Sequence, residues 1–294
     1  MNRSRNLADT IHFKNENHTF KAVITPDSYG YSIKFGGSYE KCITISITIV
    51  DGVPQYGNIS HIQSEQECTL DTLLLHEETT NFVKACLQFC SMKFPGLKKF
   101  IFDDMSNIEC GVSPSEKPPR RLGKPFSLAP LYIAINGKTW YEMKFGAKME
   151  NPETYKKYQE SMELLSKPKD MEFSKFKQIN KLSPEQEALL EPLYSAALTW
   201  TDFFKSIPRI QRCLAMYNWL PTFITRSLAI KFQNNNWYID IDMMDTIPVE
   251  ILGSRSASRG VTMGGRRKTR SKRTKTKRSY RLFTNQMEGW KLSI

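Results

Sequence analysis

The sequence predicts a protein of the mixed α/β (α+β) class, with a central sheet flanked by helices. Two patterns support this prediction. Residues 42–50 alternate isoleucine with serine or threonine, which is the period of two expected of a strand. In residues 78–93 phenylalanine and cysteine recur at helical spacing instead, and Pro95-Gly96 ends the run. This change of period between neighbouring segments indicates that strands and helices belong to one layered body.

The other strands are predicted on both sides of this helix. Two runs of β-branched and aromatic residues flank Pro26-Asp27-Ser28-Tyr29-Gly30, whose residue types favour a turn. A late run that begins at Trp237 returns to strict alternation. Together the predicted strands cover residues 20–24, 31–35, 42–50, 57–62, 97–102 and 237–243.

The second half of the chain is predicted to be largely helical. Residues 111–130 contain five prolines and are expected to form a linker, after which the apolar, strand-like run 131–135 resumes order. Ser183-Pro184-Glu185-Gln186 has the residue types of a helix start. One helical face is then expected to contain Leu193, Ala197, Trp200 and Phe204.

These patterns divide the chain into a body, an insertion and a tail. The tail is rich in Ser, Gly, Thr, Lys and Arg, and it is expected to be disordered because it contains too little apolar surface to offset its chain entropy. The predicted parts are an α/β body (residues 1–151 and 233–252), a helical insertion or subdomain (152–232), a basic tail (253–281) and a short apolar C-terminal peptide (282–294).

The positive charge of the protein is concentrated in the tail. Of 42 Lys and Arg residues, 12 lie in residues 253–281, which contain no acid, so the rest of the chain has 30 basic and 30 acidic residues. Such a segment neutralises phosphates without regard to sequence, and a nuclear-import signal or a solvated tail is the competing interpretation. The predicted nucleic-acid-binding residues are Arg266, Arg267, Lys268, Arg270, Lys272, Arg273, Lys275, Lys277 and Arg278.

The remaining composition argues against several other classes. Six cysteines without dense spacing and only four histidines predict a reducing compartment, with most cysteines as small apolar packing residues, and no metal site. Asn136-Gly137-Lys138-Thr139 lacks the earlier glycine of a phosphate-binding loop. Neither a secretory signal nor a membrane span is recognised.

The segment from Leu131 to Ala147, which ends Trp140-Tyr141-Glu142-Met143-Lys144-Phe145-Gly146-Ala147, resembles the fourth helix of the GCN5-related N-acetyltransferase (GNAT) family. The order of strands, helix 78–93, strand 97–102, this helix and a late strand is also similar to that of the family. In addition, the phrase Gly137-Lys138-Thr139-Trp140-Tyr141-Glu142 and the Gly-Gly-Arg-Arg-Lys-Thr tail resemble proteins of large nucleocytoplasmic DNA viruses of protists.

The resemblance implies acetyl-CoA as cofactor and Tyr141 as the general acid that protonates the departing thiolate. The family binds the cofactor's pyrophosphate with an R/Q-x-x-G-x-G/A loop at the start of the helix that corresponds to residues 78–93. This chain has no glycine at residues 73–81, and Glu77 and Glu78 would repel a pyrophosphate there. A GNAT-like fold without catalysis, and therefore without a cofactor, is the leading expectation.

The sequence thus leaves three functional hypotheses. The first is a non-catalytic viral protein that contacts nucleic acid through its tail and protein partners through its body, with residues 282–294 as a further contact for a viral protein. The second is an N-acetyltransferase with a divergent cofactor loop, and the third is a minor structural protein of the virion. The expected location is inside the host cell, in the viral factory, the nucleus or the particle, without membrane attachment.

Overall fold

The computed structural model describes residues 8–62, 66–72, 74–75, 78–104, 107–108, 126–232 and 236–254. Its strands are β1 (Asp9–Lys14), β2 (Thr19–Pro26), β3 (Gly30–Gly36), β4 (Ile43–Val50), β5 (Val53–Ile62), β6 (Lys99–Phe102), β7 (Asn107–Ile108), β8 (Phe126–Ser127), β9 (Lys148–Met149), β10 (Trp237–Asp240) and β11 (Glu250–Ser254). Its helices are α1 (Thr79–Lys93), α2 (Leu128–Asn136), α3 (Trp140–Phe145), α4 (Pro152–Ser166), α5 (Phe173–Asn180), α6 (Pro184–Ala196), α7 (Trp200–Ser206), α8 (Arg209–Met216) and α9 (Leu220–Thr222).

One large mixed sheet organises the fold. Its strands lie in the order β11-β1-β2-β3-β4-β5-β6-β10-β9, and β7 with β8 forms a separate small ladder. Strands β1 to β5 are an antiparallel meander, whereas β6 pairs parallel to β5. A parallel neighbour cannot be reached by a tight turn, so α1 crosses between the two strands. The predicted α+β class, with a large mixed sheet flanked by helices, is confirmed.

The parallel junction between β5 and β6 is short. Only Gly57 opposite Phe100 and Asn58 opposite Ile101 are in register there. A Cβ atom on Gly57 would lie 2.4 Å from Cδ1 of Phe100, inside any real contact distance. Glycine is therefore required at this position so that the Phe100 ring can cover the junction.

The main core lies between one face of the meander and α1. The inward side chains of the strands are apolar and buried, as alternation of the pleat requires. Aromatic rings join the two layers: Phe13 lies 4.7 Å from Phe89, and Phe20 lies 4.9 Å from Phe82, measured between ring centroids. Cys86 is fully buried on the same helix.

The helices α4 to α9 form a long excursion between two neighbouring strands. They start after β9 and end before β10, and these strands pair antiparallel through Met149 and Trp237. The excursion therefore replaces the loop of a β-hairpin. Within the described part of the chain, no helix is long and apolar enough to cross a membrane.

An aromatic cluster holds these helices together, with the fully buried ring of Phe176 at its centre. Helices α5, α6 and α7 each contribute at least one ring, Trp219 contributes one from the residue just before α9, and the π turn after α9 contributes another. The ring centroids around Phe176 belong to Tyr194 (5.0 Å), Trp219 (5.2 Å), Phe223 (5.4 Å), Phe203 (5.6 Å) and Trp200 (5.9 Å).

Several sequence predictions need correction. The run 131–135 is helical rather than strand-like: it lies in α2, which begins at Leu128 inside the predicted linker and ends at Gly137 with φ 67°. The expected face from Leu193 to Phe204 is split between α6 and α7. The new helix begins because Thr199 and Asp202 cap it reciprocally.

Two strands at one end of the sheet, β11 and its neighbour β1, are also missing from the sequence prediction. Strand β1 precedes the first predicted strand, and β11 continues to Ser254, past the predicted body–tail boundary at residue 252. The two strands pair antiparallel with each other, so the end of the body closes on its beginning. Residues 255–294, which include almost all of the basic tail and the apolar C-terminal peptide, lie outside the described residues.

We expect Phe176→Ala to lower the free energy of unfolding by about 3–5 kcal/mol, since it removes a buried ring from the centre of the cluster. Urea denaturation followed by tryptophan fluorescence measures this loss. Ile210→Ala is the matched control, because Ile210 is 76% exposed and its truncation should cost less than about 0.5 kcal/mol. A loss below about 1 kcal/mol for Phe176→Ala would contradict a common aromatic core.

Candidate functional site

The predicted catalytic residue, Tyr141, lies in the first turn of α3. That helix starts with a capping box, in which Thr139 N donates to Glu142 Oε2 (2.8 Å) and Glu142 N donates to Thr139 Oγ1 (3.2 Å). It ends at Gly146, whose φ of 64° is left-handed. The segment 131–147, which resembles a single helix of the GNAT family, is therefore divided: α2 ends at Asn136, and α3 is a separate, short and doubly capped helix.

The ring of Tyr141 is packed against the end of strand β6. Its centroid lies 4.3 Å from that of Phe102 and 4.9 Å from that of Trp140, and the residue is 6% exposed. Burial raises the pKa of Tyr141, and the nearby carboxylate of Asp104 raises it further. The phenol is therefore held in its protonated form at neutral pH.

A protonated phenol has the state required of a general acid, which must hold its proton until the leaving group develops charge. The same surroundings equally suit a tyrosine that only packs in the core beside Trp140. The catalytic role of Tyr141 therefore stays a prediction.

A polar cluster that was not predicted from the sequence lies next to Tyr141. The carboxylate of Glu142 accepts hydrogen bonds from Tyr155 Oη (3.1 Å) and from Tyr158 Oη (2.5 Å), which connects α3 to α4. Both phenol rings meet the ring of Trp237 edge-on. The two tyrosines are three residues apart, so one helical face presents both; this spacing was the available signal.

Burial and the Glu142 carboxylate together raise the pKa values of both Tyr155 and Tyr158. Tyr158 is almost completely buried, at 2% exposure. Its hydroxyl donates to a charged acceptor, which is the stronger class of hydrogen bond. The cluster fixes α3, and with it Tyr141, against the first helix of the excursion.

The second predicted feature is the amino end of α1, where the family places its cofactor loop. Here Glu78 is the residue before the helix, and its Oε2 accepts a hydrogen bond from Leu75 N (2.8 Å). Its Oε1 lies 3.0 Å from Nε2 of His18, a side chain that is 7% exposed. Nδ1 of His18 is 2.6 Å from Thr72 Oγ1.

A carboxylate of the chain itself, that of Glu78, therefore lies at this helix end. The positive end of the helix dipole favours negative charge, and here Glu78 supplies it. Glu77 and Glu78 are predicted to repel a pyrophosphate at this helix end; Glu78 lies there, and Glu77 is outside the described residues.

The expectation of reduced cysteines is wrong for part of the chain. Cys42, immediately before β4, forms a disulfide with Cys68, and Cys213 is disulfide-bonded as well. Cys86 and Cys90 are free thiols buried in α1, as the packing prediction required, and burial raises the pKa of both. Disulfides are typical of oxidising surroundings, which the spacing of the cysteines did not reveal.

The predicted nucleic-acid-binding residues, Arg266 to Arg278, all lie outside the described residues. Within the described ranges, no group of three or more His, Cys, Asp or Glu side chains is arranged to hold a metal ion. Comparison of the chain with protein-family models, with curated proteins and with solved structures yields no match.

We expect the free energy of unfolding to fall as the pH rises above about 10. In the unfolded chain a tyrosine ionises near pH 10, whereas burial raises the pKa of Tyr141 and Tyr158 in the folded protein. Their contribution is therefore complete below pH 10 and is lost as the pH rises toward the folded-state pKa. Each buried tyrosine contributes a slope of up to about 1.4 kcal/mol per pH unit.

Urea denaturation between pH 8 and 11, with tyrosinate absorbance recorded in parallel, measures this slope. Tyr158→Phe should make the slope shallower, and at pH 7 it should also cost about 1–3 kcal/mol because Glu142 loses a buried donor. Tyr29→Phe is the control, since Tyr29 is 78% exposed. Equal slopes in the two variants would contradict the assignment of the pH dependence to ionisation of the buried Tyr158.

Proposed function

We propose that this chain is a non-catalytic GNAT-like protein that holds nucleic acid through its basic tail and contacts protein partners through its body. The observation that carries the non-catalytic part is the position of Glu78. Its carboxylate lies at the amino end of α1, where it accepts a hydrogen bond from Leu75 N and faces His18. A pyrophosphate would have to displace or face this charge.

The order of elements supports the GNAT-like part of the proposal. The resemblance depends on strands, a helix, a strand, the Tyr141 helix and a late strand, in that sequence. The chain has β2 to β5, α1, β6, α3 and β10 in the same order. The long helical excursion between β9 and β10 adds surface to the body for protein contacts.

The distribution of charge supports the nucleic-acid part. The tail has 12 Lys and Arg residues and no acid, while the rest of the chain is balanced at 30 residues of each sign. A polyanion is therefore attracted to the tail and not to the chain as a whole. Binding of this kind releases counterions and is steeply dependent on salt.

We expect the full chain to bind duplex DNA with a log–log salt slope near −7, for about eight phosphates engaged. Replacing the nine predicted tail residues, Arg266, Arg267, Lys268, Arg270, Lys272, Arg273, Lys275, Lys277 and Arg278, by glutamine should abolish this binding. Fluorescence anisotropy at several salt concentrations measures it. Replacement is cleaner than deletion from residue 253, because deletion would also remove the end of β11.

A matched control replaces exposed lysines of the body, Lys156, Lys157 and Lys175, by glutamine. This variant should keep nearly the full affinity and slope. Tight binding by the tail variant would exclude the tail as the site of contact. The same titration with single-stranded RNA compares the two nucleic acids.

The alternative function is acetyl-CoA-dependent N-acetylation with Tyr141 as general acid. The observation that favours it is the position of Tyr141, which is protonated at neutral pH and lies in α3, where the resemblance places the general acid. Burial raises the pKa of this phenol and so makes it a weaker proton donor. The two functions differ in one measurable property, the affinity for acetyl-CoA.

We expect no binding of acetyl-CoA up to millimolar concentration in isothermal titration calorimetry. The titration uses the chain with its nine tail residues replaced by glutamine, because a basic tail attracts any polyanion, including the phosphates of CoA. Micromolar affinity, about −8 kcal/mol, would instead support the enzyme.

In that case Tyr141→Phe should lower turnover while Tyr132→Phe leaves it unchanged. Tyr132 is a matched control because it is also buried, at 5% exposure, and burial also raises its pKa. Equal turnover in the two variants would remove Tyr141 from the reaction.

A further inference from the structure

Residues 66–72, here called the strap, lie between β5 and α1 and run back across the start of the sheet. Three backbone hydrogen bonds attach them: Tyr39 N donates to Glu67 O (3.0 Å), Leu70 N donates to Thr19 O (2.8 Å), and Ser38 N donates to Thr69 O (3.4 Å). The strap therefore touches both the β3–β4 connection and the first residue of β2.

Cys68 and Thr69, in the first half of the strap, lie very close to the β3–β4 connection. A Cβ atom on Gly37 would lie 1.9 Å from Thr69 O, so only glycine allows this contact. Cys68, the neighbour of Thr69, is joined to Cys42 just before β4. The cross-link and the close approach thus fix the same point of the strap.

Asp71 and Thr72, at the end of the strap, are held by hydrogen bonds of their polar side chains. Asp71 accepts hydrogen bonds from Thr19 N (3.1 Å) and Thr19 Oγ1 (2.6 Å). Burial opposes ionisation of Asp71, but these hydrogen bonds outweigh it and lower the pKa of its carboxyl. Thr72 reaches His18, which in turn faces Glu78 at the amino end of α1.

The attachments differ in how easily solvent can break them. The hydrogen bonds of Asp71 are exposed, whereas Cys42 and Cys68 are both 0% exposed. A reductant therefore meets the disulfide only after the strap has opened locally. Segments held by few buried apolar contacts and by exposed hydrogen bonds are the ones that open in this way.

We propose that Cys42–Cys68 is a thiol–disulfide exchange site for a dithiol reductant, and that its reduction releases the strap from the sheet and uncovers the surroundings of α1's amino end. A thiolate of the dithiol attacks one Sγ, and the other cysteine leaves as a thiolate that takes up a proton. The second thiol of the reductant then resolves the mixed disulfide. Two electrons and two protons pass to the protein, and the reductant becomes a disulfide.

Amide hydrogen exchange of the full chain, with and without dithiothreitol, tests the release. Protection of the strap amide of Leu70, and of its partners Ser38 and Tyr39, should fall at least about tenfold on reduction. Amides of β4 and of the middle of α1 should keep their protection. Unchanged strap protection would overturn the proposal, and so would a simultaneous loss in β4 and α1, which would make the disulfide a cross-link of the whole fold.

The double variant Cys42→Ser/Cys68→Ser separates this effect from reduction at Cys213. It should show the released strap without any reductant, and dithiothreitol should change its strap no further. A protected strap in this variant would contradict control by Cys42–Cys68.

The rate of reduction tests the need for local opening. Asp71→Asn weakens the exposed attachment to Thr19, so dithiothreitol should reduce the Cys42–Cys68 bond several-fold faster in this variant, as read by alkylation and peptide mapping. Asp27→Asn is the matched control, because Asp27 accepts a backbone hydrogen bond from Tyr29 N in the β2–β3 turn. Equal rates in the two variants would refute opening of the strap as the controlling step. These readouts concern the strap alone and are independent of nucleic-acid and acetyl-CoA binding.

Discussion

The packing of α1 on the meander is the constraint on which the rest of the fold depends. An antiparallel meander with one apolar face needs a cover, and a parallel neighbour strand needs a crossover. Helix α1 provides both, since it buries seven residues against the sheet and leads from β5 to β6. Its phenylalanines meet those of β1 and β2, so the position of β6 follows from this contact. Strand β10 pairs with β6, and the ring of Tyr141 packs against Phe102 at the end of β6, so both are placed relative to that strand.

The sequence predicted the elements whose signals are local. Alternation identified β4, helical spacing identified α1, and Ser183 with Gln186 marked the start of α6 through a capping box that the structure contains. Strand β11 escaped prediction because it is short and is fixed by pairing with β1, about 240 residues away, whereas β1 pairs also with its chain neighbour β2. An apolar run as short as that of α2 has no decisive period, and only its caps and its tertiary neighbours determine that it is helical.

The candidate site was predictable only residue by residue. Tyr141 and Glu78 were recognised in the sequence, but the residues that surround them in the structure are brought there by long-range packing. Glu142 meets Tyr158 because α3 and α4 lie side by side, and Glu78 meets His18 because the segment before α1 returns to the start of β2. Likewise, six cysteines allow many pairings, and no spacing rule could select the one between Cys42 and Cys68.

The amino end of α1 and the basic tail both attract anions, but their electrostatic surroundings differ. A helix amino end and a cluster of cations both favour phosphate, the first by oriented backbone dipoles and the second by net charge. At α1 the carboxylate of Glu78 already supplies the negative charge, and His18 and Leu75 hold it in place. The tail has no acid of its own, and the charge of the remaining chain is balanced, so no net negative charge elsewhere in the sequence offsets the positive charge of the tail. In the function we propose, a phosphate polymer gains most by meeting the tail, where many counterions are released at once. A single pyrophosphate at α1 would gain one helix end, but it would face the Glu78 carboxylate that is already in place there.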